Sequence, residues 1–320
     1  MVPRVAHFIW YGAGFPWLNA LALQSAHDHG GLERVVLHFD GRLDAALLDR
    51  LRAAMPRLET RPIDSARTLD AVQLGPRLNQ LYAQLQAPAA KANVLRAAIL
   101  CSEGGIYLDI DTITLAPLAP ILARAFCGSE PIAFPEQVMR SKRPDVWARA
   151  LALHGARLVL RETPRGYRAF RAIESLYTRA ANNAVLGAPA QHAFIRALLH
   201  AMLDLPESQR LVRFALGTHL LQRTIASYRG DDFVVHPPAL FYPLGPEISR
   251  HWFRIESEAR GVELDDVLQP TTLIVHWYAS VRNRAIVDRM DAAFVREHAK
   301  RQLLSALAVK TPRALELKTL

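Results

Sequence analysis

Apolar and polar positions along the chain alternate between two periods, and that alternation predicts an α/β fold. Val5-Ala6-His7-Phe8-Ile9-Trp10 is a short apolar run with strand character, and Tyr11-Gly12-Ala13-Gly14 after it reads as a loop. Leu18 to His29 carries apolar residues at helical spacing and stops at Gly30-Gly31. Arg34 to Phe39 predicts a second strand and Leu43 to Met55 a second helix. Ala89 to Cys101 is apolar at helical spacing, Glu103-Gly104-Gly105 breaks it, and Ile106 to Leu115 reads as a strand with its extension. A strand at Pro131 to Phe134, helices at Gln191 to Leu203 and Gln209 to Ser227, and strands at Phe233 to Val235 and Thr271 to His276 follow. Alternating strands and helices favour a mainly parallel sheet covered by helices. The last segment, Ile286 to Ala308, predicts a basic amphipathic helix.

Composition narrows the class. The chain has 320 residues, 51% hydrophobic and 22% charged, which suits a globular protein with a sizeable core. The formal net charge is +9, from 39 basic and 30 acidic residues. Such a surface favours anionic partners, although an Arg-rich solvated exterior gives the same number. The excess concentrates between Arg140 and Arg171, where nine basic residues face two acidic ones, which predicts a basic helical lobe near 140–181 within a single domain spanning 1–320. The stretch 286–320 adds a second basic segment. The two cysteines, Cys101 and Cys127, follow no metal or disulfide spacing and read as buried free thiols, in keeping with a cytoplasmic setting. No window has the roughly 18 apolar residues a membrane span needs, and the N-terminus lacks a signal-peptide layout. A peripheral position at the inner face of an anionic membrane stays open. No nucleic-acid module is present, and the basic residues do not alternate with aromatics as a stacking groove requires, so nucleic acid is not an expected partner.

The residues able to do chemistry lie in Gly104-Gly105-Ile106-Tyr107-Leu108-Asp109-Ile110-Asp111. On a continuous strand Asp109 and Asp111 share a face at the carboxyl end, the edge where open α/β sheets bind ligands. Two carboxylates there repel each other unless a divalent cation such as Mn²⁺ or Mg²⁺ sits between them, and that cation can also bridge a diphosphate. An Asp-x-Asp triplet alone is equally a solvated strand end; the preceding glycines, the apolar strand and the polar pair upstream change the weighing. Asn93 and Arg96 are three apart and share a helix face beside the apolar Val94, Ala97, Ala98 and Cys101. A glycosidase reading of the two aspartates fails, because neighbouring alternate positions cannot flank opposite faces of a sugar.

The block Lys91-Ala92-Asn93-Val94-Leu95-Arg96 through Gly104-Gly105-Ile106-Tyr107-Leu108-Asp109-Ile110-Asp111 resembles the core of the sugar-binding-region glycosyltransferases with a DXD motif, of the glycosyltransferase family 32 type, related to α1,4-galactosyltransferases and the clostridial glucosylating toxins. Weaker pieces follow the same order: Pro3 to Gly12, Asn182-Asn183 through His192, Gly217-Thr218-His219-Leu220-Leu221, Phe241-Tyr242-Pro243, and His276-Trp277 with Ser280. The resemblance implies a GT-A fold and a metal-dependent, usually retaining transfer of a hexose or N-acetylhexosamine. The donor would be a nucleotide-diphosphate sugar, uridine favoured over guanosine, and the acceptor a glycan, a lipid-linked saccharide or a protein. It further implies that Trp10 stacks on the base with Tyr11 and the loop beside it, that Asp109 contacts ribose and donor sugar, and that Asn93 and Arg96 hold that sugar. Asn182 and Asn183 would lie near the reacting centre, Asp111 would bind the metal, and His276 and Ser280 would close the metal-diphosphate site. Two departures stand out: Asn93 replaces the usual Asp, and the closing motif lacks its first His and its last Trp. They motivate a second reading, a nucleotide-sugar-binding protein of the same fold without turnover.

Overall fold

The computed structural model describes residues 1–210, 212, 215–279 and 284–317. Its strands are β1 (Val5–Trp10), β2 (Arg34–Phe39), β3 (Leu58–Pro62), β4 (Gly105–Leu108), β5 (Thr112–Thr114), β6 (Ala125–Ile132), β7 (Thr178–Ala188), β8 (Phe233–His236) and β9 (Ile274–His276). The helices are α1 (Trp17–His29), α2 (Ala45–Ala54), α3 (Ser65–Asp70), α4 (Gly75–Gln84), α5 (Pro88–Ser102), α6 (Glu136–Met139), α7 (Pro144–Glu162), α8 (Gly166–Ile173), α9 (Ala193–Asp204), α10 (Glu207–Arg210), α11 (Thr218–Ser227), α12 (Pro238–Phe241), α13 (Arg284–Val287), α14 (Ala292–His298) and α15 (Leu303–Ala308), joined by short 3₁₀ turns.

Seven strands form one sheet in the order β3-β2-β1-β4-β7-β6-β8, and β5 and β9 form a separate antiparallel pair. Strands β3, β2, β1 and β4 are mutually parallel, as is β6 with β8, while β7 runs antiparallel to both β4 and β6. The mainly parallel, helix-covered α/β architecture expected from the sequence is the one observed. Apolar residues of the parallel strands point both ways, so each face has its own core. Ile106 and Leu108 join the core under α1 and the C-terminal segments, whereas Tyr107 points to the core made with α4, α5, α9 and α11. Two glycines make the turn into β4: Gly104 and Gly105 have φ of 71° and 106°, and a Cβ on Gly105 would lie 2.6 Å from the Val5 carbonyl oxygen.

Three local expectations are corrected. The run Ile106 to Leu115 is not one strand: it divides at Asp109–Asp111 into β4 and β5, which belong to different sheets. The strand placed at Pro131–Phe134 is instead β6, six residues earlier in its start, and the N-terminal half of the helix placed at Gln209–Ser227 is not part of α11. The single helix over 286–308 is three short ones. Asp291 caps α14 by accepting from the Phe294 amide, and the carbonyls of Lys300 and Arg301 accept from Val262 and Glu256, which a continuous helix would not allow.

The lobe between β6 and β7 consists of α6 to α8, and the residues from Thr178 onward belong to the sheet. Much of its positive charge serves its own packing. Arg157 pairs with Glu247, Arg168 with Asp266, Arg149 donates to the Leu176 carbonyl, and Arg165 and Arg171 donate to carbonyls of the 260–266 segment. In the C-terminal segment Arg296 and Arg301 likewise donate to the Leu315 and Glu256 carbonyls. Both cysteines are buried and free. Among the described residues no helix is long and apolar enough to cross a membrane.

Candidate active site

The carboxyl end of β4 meets β9 across the turn that follows it. Thr112 pairs with His276 in the β5–β9 ladder, and the Trp277 amide donates to the Asp111 carbonyl at 3.0 Å. Asp109, Asp111 and His276 each bring one ligand atom to a common point, all within 4.8 Å of one another. The two aspartates are neighbours because of this turn, closed by the Thr112 amide on the Asp109 carbonyl, and not because they alternate along one strand.

Each member is held by a distinct set of bonds. Asp111 is buried; its Oδ1 takes the His276 Nε2 at 2.9 Å and its Oδ2 accepts from the Ala279 amide at 2.7 Å. Burial works against the charge on both Asp111 and His276, but each outweighs it for the other: the Asp111 carboxyl is held below its ordinary value and the His276 imidazole above its own. The chain reaches Ala279 through Tyr278 at φ 59°, a left-handed conformation uncommon for a large side chain. The Tyr278 hydroxyl donates to Glu130 at 2.7 Å, which anchors the residue in that conformation. The Nδ1 atom of His276 is buried and has no partner.

Asp109 is more open. Its Oδ1 accepts from the Tyr107 hydroxyl at 2.8 Å and lies 3.2 Å from the Arg96 guanidinium. Arg96, from α5, is buried against the Tyr107 ring at 4.2 Å and donates to the Asn183 carbonyl. Asn183 in turn donates its side-chain amide to the Asn93 Oδ1 at 2.9 Å, and Gly217 at the start of α11 packs on this pair. A β-bulge makes the arrangement possible. The β6–β7 register jumps from Cys127↔Leu186 to Gly128↔Asn182, leaving residues 183–185 without β6 partners. Their backbone turns to the site instead: the Asn183 carbonyl to Arg96, the Ala184 carbonyl to the Asp109 amide, and the Val185 amide to the Tyr242 hydroxyl.

These bonds bring together six of the sequence-predicted residues: Asn93, Arg96, Asp109, Asp111, Asn183 and His276. Asn182 faces the other way, its amide donating to Glu130 and its Oδ1 accepting from the Ala184 amide. Trp10 and Tyr11 stand at the carboxyl end of β1, the strand next to β4. The Trp10 indole donates to the Gly12 carbonyl and meets the Phe15 ring edge-on at 5.2 Å; the Tyr11 hydroxyl shares a hydrogen bond with that of Tyr82. Ser280 lies outside the described residues.

Residues 42–126 match the family model described as a glycosyltransferase sugar-binding region containing a DXD motif, a span that includes Asn93, Arg96, Asp109 and Asp111. The match spans 85 of the 320 residues. No curated protein matches it by sequence. Among solved structures it is similar to the PaToxG glycosyltransferase (14% identity over 70% of this chain and 69% of that one, TM-score 0.42). It is also similar to the ligand-free glycosyltransferase domain from the YGT toxin (9%, 73% and 80%, 0.43) and to mouse xyloside xylosyltransferase 1 in its apo form (15%, 86% and 98%, 0.47).

The site also contains residues that the sequence did not single out. Glu130 is buried in β6 and receives both Tyr278 and Asn182; burial pushes its carboxyl up, against the pull of those two bonds. Tyr107 and Tyr278 are the hydroxyl donors that orient Asp109 and Glu130. A carboxylate inside the apolar run Ala125–Ile132 was the available signal for Glu130.

Proposed function

We propose that the protein is a metal-dependent, retaining transferase that moves a hexose or N-acetylhexosamine from a UDP-sugar to a glycan, a lipid-linked saccharide or a protein. The observation that carries this reading is the convergence of Asp109, Asp111 and His276 at the carboxyl end of β4. The three fit a divalent cation: two carboxylates supply hard oxygen donors, and the imidazole that faces Asp111 through Nε2 supplies a nitrogen. The mixed oxygen and nitrogen set suits Mn²⁺ better than Mg²⁺. When bound, such an ion neutralises the diphosphate and stabilises the charge that develops on it as the glycosidic bond breaks.

The chain's own residues supply the rest. Arg96 pins Asp109 and the Asn183 carbonyl in one rigid unit, so the groups facing the donor sugar are set before it arrives. Asn93 and Asn183 offer amides to sugar hydroxyls, and an Asn in place of Asp keeps that ability without a charge. Trp10, at the end of the adjacent strand, offers a ring for the uracil, with Tyr11 beside it. No enzymic nucleophile is assigned. Asp109 is tied to Tyr107 and Arg96, Asp111 to His276 and the Ala279 amide, and Glu130 to Tyr278 and Asn182. This favours a front-face route in which the leaving phosphate takes the acceptor's proton; a trapped covalent glycosyl-enzyme overturns that route.

The test is donor hydrolysis across UDP- and GDP-sugars with Mn²⁺, with EDTA, and with Asp111→Ala. Metal-dependent release of nucleoside diphosphate from one donor, lost in the variant, is the expected result. Metal-dependent binding of UDP by calorimetry without release or transfer on any acceptor would turn the reading into that of a binding protein.

A further inference from the structure

A cavity lies between β7, the strand that carries Asn183, and α11, which starts beside it. It has a volume of about 230 Å³, and Ser129, Arg179, Gln222, Ile225, Val235 and Pro237 line it. Its floor is β7: Arg179 and Ala181 fall on the same face as Asn183, four and two residues before it. At ~3.3 Å per residue, Arg179 is about 13 Å from Asn183, the length of a short oligosaccharide. Its side is α11, which starts beside Asn93 and Asn183 and then fixes the cavity by the Gln222 Oε1 accepting from the Ala181 amide at 2.7 Å.

The lining has a definite chemistry. Arg179 is exposed at the rim and, among the described residues, has no hydrogen bond or ion pair; this distinguishes it from the arginines of the lobe, which are engaged. Glu174 feels its charge without forming an ion pair with it. The Gln222 amide nitrogen is also without a partner, while the Ser129 hydroxyl donates to the His236 carbonyl and so keeps its lone pairs for a donor. Ile225, Val235 and Pro237 complete the opposite wall with apolar surface, which suits the C–H face of a pyranose.

We propose that this cavity is an acceptor subsite for a sugar carrying an anionic group, a carboxylate or a phosphate, which Arg179 takes in its fork while Gln222 and Ser129 bond the ring hydroxyls. The proposal rests on the glycosyl-transfer reading for its role and not for its existence, and two measurements separate them.

The first is binding, without donor, of the full-length protein to an array of neutral, uronate-bearing and phosphate-bearing oligosaccharides of equal length. Retention of the acidic members, reduced at least about tenfold by Arg179→Ala and partly kept by Arg179→Lys, supports the subsite; preference between uronate and phosphate names the group. Arg149→Ala, an equal loss of charge on α7, controls for general electrostatics. Retention of neutral members only, or an equal effect of both alanine variants, overturns it. The second is transfer from the donor found by hydrolysis: Arg179→Ala is expected to raise the KM for the acidic acceptor about tenfold with kcat little changed, and an unchanged KM overturns the proposal. Array binding that depends on Arg179 in a protein that turns over no donor would sink the transfer reading and leave the subsite standing.

Discussion

A buried histidine from another strand stands beside each end of β4, and the two could hardly be used more differently. At its start, His7 bonds the Gly104 carbonyl through Nε2 and the His38 Nε2 through Nδ1, each at 3.1 Å. A carbonyl only accepts, so the proton of His7 is on Nε2 and His38 donates to its Nδ1. Burial drives both imidazoles to the neutral form, His7 to about 4 and His38 to about 3. Past the other end of β4, His276 is as buried, yet a carboxylate 2.9 Å away raises it instead. Burial alone therefore does not set the state of a histidine; the partner does. The first pair uses both nitrogens of His7 for structure. The second turns its Nε2 to Asp111 with Asp109 close by, and that convergence marks the functional end.

The widest separation between the two ends is expected in metal dependence. His276→Ala removes a ligand, and the Mn²⁺ needed for half-maximal nucleotide release should rise about 100-fold or more. His38→Gln should leave it within a few-fold. Equal effects of the two changes would mean that His276 is structural, as His7 is, and the contrast would collapse.

Stability should reverse the ranking. His7→Leu strands the Gly104 carbonyl and the His38 N–H in the core, and urea unfolding should show a loss of about 2–4 kcal/mol. His276→Gln should cost less, since a glutamine amide can still donate to Asp111. If the His276 change proves the more damaging, the second cluster is holding the fold.

The two ends also differ in pH response. For His7 and His38 the folded pKa is below the unfolded value near 6.5, so the unfolded chain binds more protons between them. The stability these neutral rings contribute is present above about pH 6.5 and is lost as pH falls toward 4. The fall should be roughly 3 kcal/mol for each ring, about 6 kcal/mol for the two, over that window. Denaturant midpoints at pH 7, 6, 5 and 4 measure it, and a His7→Leu/His38→Leu double variant should show a flatter profile. An unchanged slope would mean that the pair is protonated in the native state.

The sequence made one of these ends far more legible than the other. The apolar runs that became β1, β2, α1 and α5 declare themselves because their periods are long and uninterrupted, and Asn93, Arg96, Asp109 and Asp111 lie within one local block. His276 is 165 residues from Asp111, and only the resemblance linked them. Strand β7 escaped notice because its Thr-Arg-Ala-Ala-Asn-Asn start has neither β-branched alternation nor bulk. Tertiary bonds make it a strand: Gln222 on the Ala181 amide, Glu130 on Asn182 and Arg96 on the Asn183 carbonyl. The break at Asp109–Asp111 was hidden for a related reason. Ile110, Thr112 and Ile113 continue a strand pattern, and only the competing partner β9 decides that the chain changes sheets.

The smallest effect probes what lies between the two extremes. Glu130 is buried like His7 and stands near the metal-ligand cluster like Asp111, with one oxygen, Oε2, accepting from both Tyr278 and Asn182. Burial pushes this carboxyl up, toward the neutral form that His7 and His38 take. If geometry is its whole contribution, Glu130→Gln is nearly silent, because the glutamine carbonyl oxygen can accept the same two bonds. Unfolding free energy should then change by less than about 1 kcal/mol, and nucleotide release by no more than a few-fold. If its charge is needed to hold His276 and Tyr278 in place, release should fall much further while the fold stays intact by circular dichroism. The first outcome would group Glu130 with the structural histidines at the start of β4; the second would move it to the functional end, where a buried charge is kept because another charged group answers it.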